Sequence, residues 1–381
     1  MTGLTTYQIV PPPGAATLSF HFGRQGIGLE EAGETLPSDS LFAALVAQAA
    51  MLGTAAPGAD GAPAFARPFV DGAPPFTLSS LFPRLGALPL LPRPLLKLEV
   101  AKALHDTIGK GFKKLRYLSP ALFATVCTGQ EISKPPIIMQ AGKVWISQAE
   151  LAELAALKSW ARSARDETEQ AWQQRLSATP LWSIESLPRV TVDRASSASA
   201  YYEVGRVTYA PEAGLALLVR FTDAASREGF ERLLTLLAES GLGGRRSSGY
   251  GAFSWQRGPE LALDLGAAGT RAVLLSRYLP AGDQELAALR SERSAYHLVR
   301  VGGWVYSLGR PSQRRQRVMM VAEGAVLDAG AAPAHGRVAD VRPVYSPARP
   351  HPQLGSGPGT DHPVYRSGLA LTVPIPDEEV R

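Results

Sequence analysis

The chain has 381 residues, 45% hydrophobic and 19% charged, which is enough to bury cores in two or three domains. A single cysteine, Cys127, excludes an internal disulfide and a multi-cysteine zinc centre, and the six histidines form no HExxH. The formal charge of +5 is a mild basic bias, compatible with a polyanionic partner. The opening MTGLTTYQIVPPPG lacks a basic stretch followed by an apolar run, and no apolar run is long enough to span a bilayer. The expectation is a soluble cytoplasmic protein with no signal peptide.

The first predicted strand is TLSFHF, residues 17–22. LPSDSLFAALVAQAAML (36–52) predicts a helix. Ser38 or Asp39 serves as its cap, since either side-chain oxygen can accept from the first free N–H groups. Leu41, Leu45, Ala49 and Leu52 share a face suited to lying on a sheet. Residues 53–76 are rich in Ala, Gly and Pro and predict a loop. The region 77–200 is mixed, with a basic segment, KALHDTIGKGFKKLRYL, and a long helix predicted from about Gln148 to Leu176. Tyr201–Tyr209 and Leu215–Phe221 predict two strands joined through PEAG. Asp223–Ser240 predicts a helix with Phe230, Leu233, Leu234 and Leu237 on one face, stopped at Gly241. Tyr250–Trp255 is strand-like.

With the middle stretch set aside, the order is strand, helix, strand, strand, helix, strand. That is the ferredoxin-like βαββαβ pattern, also used by RNA-recognition domains. The second half repeats it in degenerate form. Arg271–Tyr278 predicts a strand and Asp283–Glu292 a short helix. Tyr296–Val301 and Trp304–Leu308 predict a hairpin about Gly302-Gly303. Further strands are predicted from Val318 through Leu327 and over Gly368–Ile375, with no clear second helix. The expected fold is α+β, two tandem ferredoxin-like (RRM-like) domains. The first covers 1–258, with a long insertion at about 53–200, and the second, degenerate one covers 265–381.

The segment GLGGRRSSGYGAF (241–253) is the densest candidate site. It is not a dinucleotide loop: the third glycine of GxGxxG is replaced by Arg246, and a helix precedes rather than follows. It is not an NTP loop either, since no GK[ST] occurs in the chain. What remains is a close-approaching backbone at Gly241, Gly243, Gly244 and Gly249 with cations at its centre. Arg245 and Arg246 can fork onto phosphates, Ser247 and Ser248 supply hydroxyls, and Tyr250 a stacking ring. Such a set suits a single-stranded RNA backbone.

Three other constellations carry charge. Lys113, Lys114 and Arg116, with Phe112 and Tyr117, form either a phosphate-tracking surface or a solvated face over core aromatics. PRVTVDRASSASAYY (188–202) suggests a protruding hairpin carrying Arg189 and Arg194, with Asp193 ion-paired to a neighbouring arginine. Arg310, Arg314, Arg315 and Arg317 could face RNA, an acidic partner or solvent. Catalytic signals are thin: there is no GxSxG and no carboxylate cluster with metal spacing. His21 is the one histidine placed to act as a general acid or base, or else is structural. No cofactor or metal is expected.

Five stretches in order also resemble a known family. They are LPSDSLFAALVAQA (36–49), LPRPLLKL (91–98) with GFKKLRYLS (111–119), PRVTVDR (188–194), GLGGRRSSGYGAF (241–253), and VMMVAEGAVL (318–327) with HPVYRSGLALTVPI (362–375). They resemble the RAMP proteins of CRISPR systems, and more narrowly the fourth-subunit family of the type III-A Csm effector. Ala325 stands where that family usually has serine. The resemblance implies a non-catalytic subunit that caps the repeat-derived 5′ tag of the CRISPR RNA. It would join the large polymerase-like subunit to the backbone RAMP subunits. It further implies tag contact by the glycine loop with Arg245 and Arg246, and matches Ser38 and Asp39 to the family's SD pair. The Lys113–Lys114 segment matches another family stretch, and Arg189–Arg194 would form a thumb separating tag from guide. The alternatives are a metal-independent RNA-processing RAMP endonuclease using His21 and a stand-alone RNA-binding module.

Overall fold

The computed structural model describes residues 3–23, 30–53, 63–163, 167–305, 311, 313–328, 330 and 334–377. The chain is a mixed α+β protein whose sheets are almost entirely antiparallel. Its largest sheet includes the inner strand Thr5–Val10. That strand pairs antiparallel with Ala213–Phe221 on one side and Ser254–Arg257 on the other. Ala213–Phe221 pairs in turn with Phe82–Leu85 and, at its other end, with Phe76–Leu78. The helices Ser38–Leu52 and Ala224–Ser240 pack on each other and supply Leu41, Phe42, Leu45, Phe230 and Leu234 to the core. Leu215–Val219 is apolar at every position because it is buried on both faces.

Several predicted elements change place. The opening strand is Thr5–Val10, not 17–22; of the latter, Ser19–Phe20 pairs with Val207–Thr208. Tyr201–Tyr209 does not join the central sheet but pairs along its whole length with Trp182–Val192. The strand beside Ala213–Phe221 is supplied by Phe76–Leu85 instead, and Leu88–Pro89 folds back onto it in the same sheet, so the long interposed stretch is 90–212. That strand is hard to read because Ser79-Ser80 interrupts it and Pro83 lies inside it, both of which mimic a loop. The long helix expected over 148–176 is broken. Leu151–Ala155 is one short helix, and Glu169–Ala178 starts afresh where Thr168 Oγ1 accepts from the Ala171 N–H at 3.2 Å. No helix among the described residues is long and apolar enough to cross a membrane.

In the second half, Arg271–Leu274 lies between Val326–Asp328 and Thr372–Ile375, antiparallel to both. The helix expected over Asp283–Glu292 forms over Asp283–Arg290. The hairpin expected about Gly302-Gly303 does not: Leu298–Val301 pairs with Val318–Val321, and Trp304 bridges to Arg314. Residues 306–310 lie outside the described set. One apolar core runs from Tyr7 and Leu217 of the first sheet to Val273, Leu371 and Ile375.

A buried polar seam ties the halves together. Ser38 and Asp39 do not cap their helix, because Pro37 holds the N-cap position and no side chain caps the first turn. The Ser38 hydroxyl instead accepts from the Arg277 N–H at 2.8 Å, and the Ser38 N–H donates to Ser80 Oγ at 2.9 Å. Asp39 lies 3.1 Å from Arg366, both almost wholly enclosed. Burial pulls the Arg366 guanidinium below its ordinary pKa, and Asp39 opposes that. Arg277 pairs with Glu323 at 3.1 Å, and Ser80 donates to the same carboxylate. Removing one partner of a buried pair strands the other charge and costs about 3–5 kcal/mol. Asp39→Ala is therefore expected to lower stability in urea by that order, whereas Glu99→Ala, which breaks the exposed Lys97–Glu99 pair, changes it little. Equal losses would contradict this reading of the seam.

Candidate nucleic-acid interface

The glycine segment begins where the Ala224–Ser240 helix ends. Its main chain docks against the 19–21 segment. The Gly244 N–H donates to the His21 carbonyl and the Gly251 N–H to the Ser19 carbonyl, each at 2.9 Å. Within the bend, the Leu242 N–H donates to the Gly251 carbonyl at 2.9 Å. Gly243 and Gly251 have φ of +87° and +88°. A Cβ at Gly251 would lie 2.3 Å from the Leu242 carbonyl oxygen, and one at Gly243 would lie 2.9 Å from that of His21. Only glycine satisfies both the dihedral and the approach. With this side docked, Gly244, Ser247, Ser248 and Gly249 face solvent, while Gly241 is buried.

The arginines of the bend diverge. Arg245 has φ +58°, and its guanidinium sits 5.2 Å from the centroid of the Tyr202 ring. Arg246 turns back, its Nη1 donating to the carbonyls of Ser240 at 3.3 Å and Gly241 at 3.5 Å. It thereby serves orphan carbonyls at the helix end, where a cation is also favoured by the helix dipole. Beside Arg246, a groove of about 280 Å³ opens between the bend and the first helix, lined also by Ser40, Ala43, Ala47, Met51 and Leu242.

Trp182–Val192 and Ser199–Tyr209 form the hairpin expected at 188–202. From Pro188 to Tyr201 every residue is exposed, so the ribbon projects from the body, with Arg194 in its tip. Contrary to the expectation, no arginine among the described residues pairs with Asp193. Its Oδ1 accepts from the N–H groups of Ala195 at 2.7 Å and Ser196 at 3.4 Å, which shapes the turn and holds its carboxyl below the usual range. Arg189, nearer the root, donates to the Tyr250 hydroxyl at 2.9 Å and lies 5.9 Å from that ring's centroid. Among the described residues no carboxylate pairs with Arg189 or Arg245.

Three candidate site residues of the sequence are interior. Tyr250 is 6% exposed, so its ring is no open stacking face. Ser38 is 2% exposed and engaged in the seam. His21 is 5% exposed, and its Nδ1 meets the Gly205 carbonyl at 2.7 Å. A carbonyl only accepts, so this nitrogen carries the proton and His21 supports the bend rather than facing a strand of RNA. Lys113 and Lys114 are exposed at the end of a short 3₁₀ segment, Gly109–Lys114, and Arg116 is exposed 3.3 Å from Glu34. Their aromatic neighbours belong to the core: Phe112 packs edge-on to Trp145 at 5.4 Å, and Tyr117 is buried. In the late arginine run, Arg314 stacks over Trp304 and Arg315 donates to the Gly302 carbonyl; Arg310 lies outside the described residues. No cluster of His, Cys, Asp or Glu among the described residues is arranged to hold a metal. Tyr202 is the residue the sequence reading missed, although it lies in the quoted 188–202 stretch; only the register puts it opposite Arg189.

No curated protein matches the chain in sequence. Residues 267–375 match the family model described as the CRISPR Csm4 C-terminal domain. Among solved structures, the chain is similar to one in the Csm3–Csm4 subcomplex of the type III-A CRISPR–Cas interference complex. That match has 17% identity and a TM-score of 0.60, over 98% of this chain and 100% of the other. It is likewise similar to a chain in the Csm1–Csm4 cassette with AMPPNP, at 15% identity and TM-score 0.54 over 99% of each chain. A chain of the same cassette with pppApA matches at 15% and 0.53, again over 99% of each. The family resemblance drawn from the sequence is thus borne out: residues 267–375 match the Csm4 C-terminal domain, and the whole chain has the fold of the chains in those Csm assemblies.

Proposed function

We propose that the chain is a non-catalytic subunit of a type III-A CRISPR effector that holds the repeat-derived 5′ tag of the CRISPR RNA. The observation that carries this is the junction of bend and hairpin. There Arg245 and Arg189 stand beside exposed main chain at Gly244 and Gly249, with no carboxylate to neutralise them among the described residues. Uncompensated cations next to an exposed main chain that no bulky side chain shields, with the Ser247 and Ser248 hydroxyls, suit a ribose-phosphate strand. The projecting ribbon, with Arg194 in its tip, is the thumb that parts tag from guide. Lys113, Lys114 and Arg116 form a second, outlying basic surface.

Strand order supports reading both halves as ferredoxin-like, over 1–258 and 265–381. In the first, the order across the sheet is last, first, third, second, with a helix in each crossover. In the second, Thr372–Ile375, Arg271–Leu274, Val326–Asp328 with Val318–Val321, and Leu298–Val301 follow the same order, with one helix among the described residues. The relatives' assembly with Csm1 and Csm3 supports a large polymerase-like subunit and a backbone RAMP subunit as partners.

The burial of His21 disfavours the endonuclease alternative, since a general base must reach the proton it abstracts. Repeat RNA incubated with the full chain without metal is expected to stay intact. Clean cleavage abolished by His21→Ala would overturn the non-catalytic reading. Arg189→Ala with Arg245→Ala is expected to weaken binding of tag RNA and to flatten its salt dependence. The log–log slope should fall by about 1.4, at roughly 0.7 per phosphate contact. An unchanged slope in a fluorescence-anisotropy salt series would mean these arginines do not meet phosphates.

A further inference from the structure

We infer that Tyr202 and Tyr250 are positioning residues, each seating an arginine of the other element so that bend and hairpin present both guanidinium groups as one fixed anion cradle. This deepens the RNA-binding reading above and rests on it. The exchange is reciprocal. The bend contributes Arg245 and Tyr250, and the hairpin contributes Arg189 and Tyr202. Arg245 lies 5.2 Å from the Tyr202 ring, and Arg189 lies 5.9 Å from the Tyr250 ring and donates to its hydroxyl. Arg189 and Tyr202 are cross-strand partners, so both leave the ribbon on the same face.

A free arginine on a surface loses rotamer freedom when it closes on a phosphate. A ring beneath the planar guanidinium removes part of that freedom in advance and leaves the N–H edge open to a second ligand. Arg245 is aimed a second time by its own backbone, held at φ +58°, a region that non-glycine residues seldom occupy. Tyr250 is buried and acts on a strand only through Arg189; Tyr202 is half-buried beneath Arg245. The same pairs lock the root of the hairpin to the bend, so the cradle and the thumb move as one unit.

The test uses the full chain and a fluorescein-labelled single-stranded RNA carrying the repeat-derived tag of the host's CRISPR array, in an anisotropy salt series. Tyr202→Ala is expected to weaken binding about two- to fivefold, the value of an exposed cation–π contact. Tyr202→Phe keeps the π face and wild-type affinity. Tyr202→Leu keeps apolar bulk without a π face and loses as much as the alanine variant. In an Arg245→Ala background neither Tyr202→Ala nor Tyr202→Leu weakens binding further, because the arginine they serve is gone. Full affinity in Tyr202→Leu, or an equal loss with and without Arg245, overturns the positioning role while leaving the RNA contact standing. If Arg245→Ala itself moves neither affinity nor slope, the RNA reading falls and this inference falls with it.

Discussion

The proposed RNA-binding face depends on a backbone-to-backbone contact with no room for a side chain. Gly244 and Gly251 donate their N–H groups to the carbonyls of His21 and Ser19, while Gly243 and Gly251 turn the chain through positive φ. This docks one side of the bend and leaves residues 244 and 247–249 outward. Everything else at the interface follows from that placement. His21 is drawn inside to support Gly244, with its ring held by the Gly205 carbonyl of the hairpin strand. The hairpin itself is anchored through Ser19–Phe20 and Val207–Thr208, next to the same contact. Bend, His21 and ribbon root are therefore one mechanical unit, and Arg189 and Arg245 are brought together by it.

A second constraint sets where this unit sits on the molecule. The first helix carries no side-chain cap at its start, because Ser38 and Asp39 are turned to Arg277 and Arg366 of the C-terminal half. Buried ions are a weak source of stability relative to apolar packing, but a partner lost leaves a stranded charge, so the seam specifies one docking of the halves. The helix that starts at the seam also lines the groove beside the bend. The glycine bend is thereby held in a defined relation to residues 267–375, the part that matches the Csm4 C-terminal domain.

Local signals in the sequence were legible where local chemistry decides the outcome. The Asp223–Ser240 helix carries its apolar face at helical spacing, capped by Asp223 on the Ser226 N–H and ended at Gly241, and it forms with those bounds. The glycine bend and projecting hairpin were legible from composition for the same reason. The central sheet was not, because its pairing is non-local: Thr5–Val10 meets strands more than 200 residues away, and nothing in TTYQIV names its partners. Phe76–Leu85 hid behind Ser79, Ser80 and Pro83. At the site, the charges were visible but their engagements were not. Arg246 serves its own helix end, Tyr250 is roofed by Arg189, and Ser38 lies in the seam, all settled by tertiary packing that residue type cannot reveal.

The most direct measurement is photo-cross-linking of CRISPR RNA bearing 4-thiouridine in its tag, within the assembled effector, followed by peptide mapping on this chain. Cross-links concentrated at residues 243–249 and at the hairpin root, 187–191 and 201–205, are the predicted result. Cross-links confined to 267–375, with none at the bend, would contradict the central claim that the docked glycine main chain, with Arg245 and the hairpin's Arg189, forms the RNA-binding face.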